Sequence, residues 1–163
     1  MSFVAKFRVI FIVSLLSILL DQLSKWWASH YLTYGSATSY FADILRIVYV
    51  ENTGAFLGLG SGMSESAKFW IFVAAVGVVL LALVVFMFKS SEQNTYSIVS
   101  LSLIFSGGLS NFYDRAMNNG AVIDFLNMGF GSLRTGIFNV ADMAIMLGVV
   151  MLLFAKSEVK KAE

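Results

Sequence analysis

In a chain of 163 residues with no cysteine and a single histidine, His30, hydrolytic chemistry has to be carried by Asp, Glu, Ser or Lys. The missing thiols exclude disulfides, thiol catalysis, Cys-ligated zinc and iron–sulfur clusters. One His leaves no His pair for a metal, so neither a metal nor a cofactor is expected. Two carboxylates stand in apolar surroundings: Asp124 in Val122-Ile123-Asp124-Phe125, and Asp142 near the start of the apolar run 137–155. They lie 18 positions apart, with Asn127, Gly129, Gly131, Gly136 and Asn139 between them, so a folded-back connection can bring them together. At one low-dielectric site two carboxylates cannot both ionise cheaply and share a proton. One then serves as base toward a water while the other polarises a carbonyl. Spacing permits this pair without requiring it. Taken singly, Asp124 reads as a solvated loop residue and Asp142 as an interfacial carboxylate in a structural hydrogen bond.

The elements that must position these groups belong to a membrane. Apolar residues make up 58% of the chain and charged ones 13%, at a mean hydropathy of +0.81, outside the range of ordinary soluble domains. The length suits one domain, 1–163. Eleven basic against ten acidic residues give no footprint of a nucleic-acid binder. A helix needs about 20 mainly apolar residues to cross a bilayer, and four stretches are expected to do so: 7–28, 69–88, 96–113 and 137–155. The serines of the third suit helix packing better than lipid contact. Lys6 and Arg8 precede an apolar run as in a signal peptide, but Asp21, Lys25 and the pair Trp26-Trp27 follow where a small-residue cleavage site would stand. Lys6, Arg8, Lys89, Lys156, Lys160 and Lys161 fall on one side of a four-span chain, which the positive-inside rule makes cytoplasmic. Asp21 and Lys25, four apart, form the favourable helical ion pair, a structural role. Residues 40–60, β-branched and aromatic with a Gly-rich tail at Gly54, Gly58 and Gly60, are expected to be a small extracytoplasmic β region. Residues 114–136 are expected to be an irregular connection.

Five blocks in order then carry a resemblance: Asp21-Gln22-x-x-Lys25, Asn52-Thr53-Gly54-Ala55, Gly107-Gly108-x-x-Asn111-x-x-Asp114-Arg115, Val122-Ile123-Asp124-Phe125 and Phe138-Asn139-Val140-Ala141-Asp142. The chain resembles signal peptidase II, the lipoprotein signal peptidase, an aspartic protease of the bacterial cytoplasmic membrane. The resemblance implies four transmembrane helices with a small β subdomain between the first two. It implies that Asp124 and Asp142 are the catalytic pair, and that Asn52, Gly54, Gly107, Asn111, Asp114, Arg115, Asn139 and Ala141 bind substrate or support the site. Asp21 and Lys25 take a structural or supporting role. The implied partners are a diacylglyceryl-modified prolipoprotein, cut just before its lipidated Cys, and membrane phospholipid, with the enzyme a monomer. Ser110, Gly136 and Met143 depart from the family pattern at positions where Gly, Pro and Ser are usual. Tyr49, Phe56 and Leu57 are candidates to cover the site from the aqueous side.

Two other readings compete. In a non-catalytic scaffold or small transporter the Asp residues would be structural or proton-relay groups, but paired broken helices and internal repeats are not visible. A Ser–Lys hydrolase would use Ser24 beside Lys25, although adjacent helical positions point about 100° apart.

Overall fold

A computed structural model describes residues 1–54, 62–64, 67, 69–90 and 93–155. Its elements run in the order α1 (Phe3–Tyr31), β1 (Ala37–Tyr40), β2 (Leu45–Asn52), a π-helical segment (Phe69–Ala75) leading into α2 (Val76–Lys89), α3 (Thr95–Met117), β3 (Val122–Phe130), β4 (Leu133–Arg134) and α4 (Val140–Leu153).

The helices are turned inside out relative to a soluble bundle. On α1 the buried stripe is Lys6, Ile10, Ser14, Ser17, Asp21, Lys25 and Ala28, recurring every three or four residues. Phe7, Phe11, Leu15, Leu19, Leu23 and Trp26 point outward and are exposed. Helix α3 likewise buries Ser100, Ser102, Ser106, Ser110, Asn111 and Asp114, and α2 and α4 expose Val78, Leu81, Phe86, Met146, Leu147 and Val150. Apolar surface on this scale is left outward where the surroundings are apolar too. By length and composition α1 is the one helix among the described residues able to cross a membrane, while Val73–Lys89 and Val140–Leu153 are shorter apolar helices. Length and apolarity therefore support one span of the expected four, the difference arising because α3 spends its inner face on polar groups and the other two are short.

Small residues bring α3 and α4 into close contact. A Cβ at Gly107 would run into the Ala141 carbonyl and stand 2.8 Å from Ile145 Cγ1, and one at Gly148 would meet Ser100 O and lie 2.8 Å from Ile104 Cγ1. At the opposite end, Lys6 Nζ donates to Met87 O and Ser90 O, a cation at the α2 C-terminus where the helix dipole favours it.

The four strands form one antiparallel sheet ordered β1-β2-β3-β4. This corrects the expectation of an irregular connection over 114–136, because β3 and β4 complete the sheet that β1 and β2 begin. Glycines there serve the turns: Gly120 (φ 84°) after α3 and Gly131 (φ 55°) between β3 and β4 adopt left-handed backbone. Residues 55–60 of the expected β region lie outside the described residues, as do Lys156, Lys160 and Lys161.

Candidate active site

Strand β3 carries Asp124 between two neighbours. On one side β2 pairs with it, Val50 opposite Asp124 and Asn52 opposite Val122, so Asn52 sits diagonally across from the carboxylate. On the other side Phe138 bonds to β3, Phe138 N donating to Leu126 O at 2.8 Å and Leu126 N to Phe138 O at 2.8 Å. That pairing delivers the next residue, Asn139, to Asp124 just where α4 begins. Asp124 is consequently 2% exposed, which corrects the reading of a solvated loop residue.

Asn139 caps α4 reciprocally with Asp142: its Oδ1 accepts from Asp142 N at 2.9 Å, and its own N–H donates to Asp142 Oδ2 at 3.3 Å. With Oδ1 so engaged, the amide nitrogen must face the other way. Asn139 Nδ2 donates to Asp124 Oδ1 at 2.7 Å and to Asn111 Oδ1 at 3.2 Å. One fully buried asparagine thus holds both carboxylates. The remaining oxygens are fixed by the same logic. Asn52 Oδ1 accepts from Gly54 N at 2.9 Å, which aims Nδ2 at Asp124 Oδ2, 2.8 Å away. Asn111 Oδ1 accepts from Lys25 Nζ at 2.8 Å, which aims Nδ2 at Asp142 Oδ1, 3.0 Å away. Burial, with the Asp142 charge adding to it against the Asn52 and Asn139 hydrogen bonds, pushes Asp124 up to about 6.

Below this pair lies a second charged cluster. Lys25 Nζ is 2.7 Å from Asp21 Oδ2 and 2.7 Å from Asp114 Oδ2, all three side chains buried. The expected pair of Asp21 with Lys25 is therefore one half of a bridge between α1 and α3. Asp21 Oδ1 also accepts from Ala141 N at 2.8 Å, adding a carboxylate at the α4 N-terminus. Gly107, by lacking a side chain, leaves room for that first turn. Arg115 Nη2 donates to Gly54 O at 2.5 Å, tying α3 to the chain beyond β2, and its charge acts on Asp124, Asp142 and Asp114. The twelve residues that the resemblance gives a catalytic, binding or supporting role converge on this region.

Others do not. Ser24 donates to Asp21 O in its own helix at 2.8 Å while Lys25 is committed elsewhere, which leaves no Ser–Lys pair. Tyr49 donates to Glu51 at 2.7 Å and stacks edge-on with Tyr34; Phe56 and Leu57 lie outside the described residues. Met143 is exposed, and Gly136 O is 3.5 Å from Asn127 Nδ2. Sequence reasoning gave no role to Gln22 and Ser110, which enter the charged cluster: Gln22 Nε2 donates to Ser110 Oγ at 2.9 Å and Asp114 Oδ1 at 2.8 Å. The signal lay in the four-residue recurrence Ser102, Ser106, Ser110, Asp114, one face of a helix. No group of His, Cys, Asp and Glu able to hold a metal occurs among the described residues.

A model of the family described as signal peptidase (SPase) II matches residues 13–157. The chain belongs to that family. It is accordingly a signal peptidase of the aspartic type. Lipoprotein signal peptidase of Borreliella burgdorferi strain ZS7 is 39% identical over 149 residues, covering 88% of this chain and 85% of the relative. That of Brevibacillus brevis is 33% identical over 143 residues, covering 88% and 91%. Among solved structures, one of a bacterial membrane enzyme superposes with a TM-score of 0.79 at 29% identity, covering 94% of this chain and 93% of the other. The scaffold and transporter readings fall away with this membership.

Proposed function

We infer that this signal peptidase acts on diacylglyceryl-modified prolipoproteins at the bacterial cytoplasmic membrane, cutting just before the lipidated Cys with Asp124 and Asp142 as its proton-sharing pair. Its lipoprotein signal peptidase relatives support the substrate class. The observation that carries the assignment of the pair is Asn139, which bonds to both residues from one buried amide.

Asp124, raised by burial, holds the shared proton, and Asp142 is the base. Asp142 takes a proton from water as the water oxygen attacks the scissile carbonyl carbon, and Asp124 protonates the carbonyl oxygen. The neutral gem-diol then collapses. Its hydroxyl proton returns to Asp124, the C–N bond breaks, and Asp142 passes its proton to the leaving Cys nitrogen. Each carboxyl ends as it began, with one water consumed. Arg115 offsets the negative charge of the pair. The three asparagines keep the carboxylate planes fixed throughout, so little reorganisation accompanies the charge movement.

In this reading the four helices cross the membrane, the π-helical segment extending α2, with both termini cytoplasmic and the sheet at the outer face. The monomer meets its substrate in phospholipid and needs neither cofactor nor nucleic acid. A diacylglyceryl group holds the scissile bond at the depth of the carboxylates, each buried methylene adding about 0.8 kcal/mol of anchoring. The test is a gel-shift assay in mixed micelles on matched precursors with and without the lipid. Cleavage of the lipidated form alone is expected, and none by Asp124→Asn or Asp142→Asn protein that retains wild-type helicity. Equal cutting of both substrates removes the lipid requirement, and an active single variant removes the pair.

A further inference from the structure

Of the four fully buried serines on α3, three return their hydroxyl protons to their own helix: Ser100 to Tyr96 O, Ser102 to Ile98 O and Ser106 to Leu103 O. Such back-bonding is the ordinary fate of a serine in an apolar helix interface. Ser110 does something else. Its Oγ donates across to Asp21 Oδ2 on α1 at 2.7 Å and accepts from Gln22 Nε2 at 2.9 Å, so its single proton is spent on a buried carboxylate. That carboxylate's other oxygen takes Ala141 N, 2.8 Å away in the first turn of α4, one residue before Asp142.

We propose that Ser110 is a positioning residue of the hydrolytic site, acting through Asp21 on the first turn of α4 and thereby on Asp142. The proposal rests on the reading of Asp142 as one of the reacting pair. Asp21 Oδ2 is held from two sides, by Lys25 and by Ser110, and these two contacts fix the direction in which Oδ1 faces Ala141. Lys25 alone is a poor guide, because its ammonium acts as a compact point charge divided among Asp21, Asp114 and Asn111. The hydroxyl supplies the directional bond, and Gln22, anchored on Asp114, orients the hydroxyl. Asp142 receives its alignment from both ends of one network: from Asn111 on its carboxylate and from Asp21 on the backbone before it. A hydrogen bond to an ionised group is among the stronger ones, and small displacements of a reacting group cost rate more than binding.

The test uses the full chain with Ser110→Ala and Ser110→Cys, assayed on a lipidated precursor in mixed micelles with Tm measured alongside. The expected result is kcat lower by about tenfold in Ser110→Ala, intermediate in Ser110→Cys with its weaker donor, and KM within about twofold of wild type. In an Asp21→Asn background Ser110→Ala should change kcat by less than about twofold, since the route to α4 has gone. Should Asp21→Asn protein fail to fold, the ranking Ser above Cys above Ala in kcat at unchanged KM decides. Wild-type kcat in Ser110→Ala, or an equal loss in both backgrounds, overturns the proposal. Asp142→Asn run in parallel separates the two failures: if it is inactive while Ser110→Ala is normal, only the positioning role is lost, whereas activity in Asp142→Asn removes the underlying aspartyl reading.

Discussion

Replacing Asp124 by Asn should make the folded protein respond differently to pH, by an amount the site itself sets. An ordinary Asp carboxyl ionises at 3.8, and burial with the Asp142 charge pushes Asp124 up to about 6. The folded state therefore binds this proton more tightly than the unfolded state does. Stability from it is fully present below 3.8, falls as pH rises, and is gone above about 6. At about 1.4 kcal/mol per pH unit the loss is about 3 kcal/mol in wild type, and Asp124→Asn lacks it. Asn52 and Asn139 both donate to Asp124, so an amide there sets N–H against N–H, at a cost that is the same at every pH. The difference between pH 4 and pH 7 isolates the ionisation. Between these two pH values about 2.5 kcal/mol of the loss falls, which for a chain of this size corresponds to a relative change in Tm of about 5–10 °C, with Asp124→Asn gaining on wild type toward neutral pH. The assay is thermal unfolding in detergent at the two pH values. Asp142→Asn is a useful control, because removing that neighbouring charge removes one of the causes and shrinks the wild-type drop. Parallel pH dependence of wild type and Asp124→Asn, within about 1 kcal/mol, refutes the reasoning.

The same proton predicts that kcat/KM, which reports the free enzyme, declines above about pH 6; a pH profile flat to pH 8 contradicts it. Lys25→Met strands the buried carboxylates of Asp21 and Asp114, and should lower stability by about 3–5 kcal/mol, whereas the neutral combination Asp21→Asn, Lys25→Met, Asp114→Asn should lose less; thermal melts in detergent that rank the triple below Lys25→Met count against the bridge.

Which residues assemble the candidate site was legible, and the way they assemble was largely not. The motif blocks pointed to the asparagines and carboxylates, and the inside-out helices follow from composition. What escaped was long-range. Val122–Phe130 reads as a loop because Asn118, Asn119, Gly120, Gly129 and Gly131 flank it, and because its alternation is blurred by burial on both faces, as the run Val122, Asp124, Phe125 and Asn127 shows. Its strand character comes from β2, some 70 residues earlier, and no local period encodes such a pairing. Lys25 read as half of an i,i+4 pair because spacing along one helix says nothing of Asp114 on another. Ser110 stands out in the sequence only as a departure from the family pattern, and only the approach of α1 gives its hydroxyl a carboxylate to bond.

The two clusters also make sense of each other through charge. Asp21, Asp114, Asp124 and Asp142 surround Lys25 and Arg115, so four carboxylates face two cations in a setting where unbalanced charge is expensive. With every acid ionised the region carries two negative charges in excess, and a proton on Asp124 leaves one. The lower cluster already has a countercharge in place, because Asp21 and Asp114 each lie 2.7 Å from Lys25. The proton goes to the pair that has asparagine amides in place of an ammonium. A neutral amide donor stabilises a carboxylate enough to fix its direction, without the full countercharge that would hold it ionised. The use of Asn52, Asn111 and Asn139 around Asp124 and Asp142, with Lys25 kept one layer away, is what allows a carboxyl group to retain its proton in a site that still aims it.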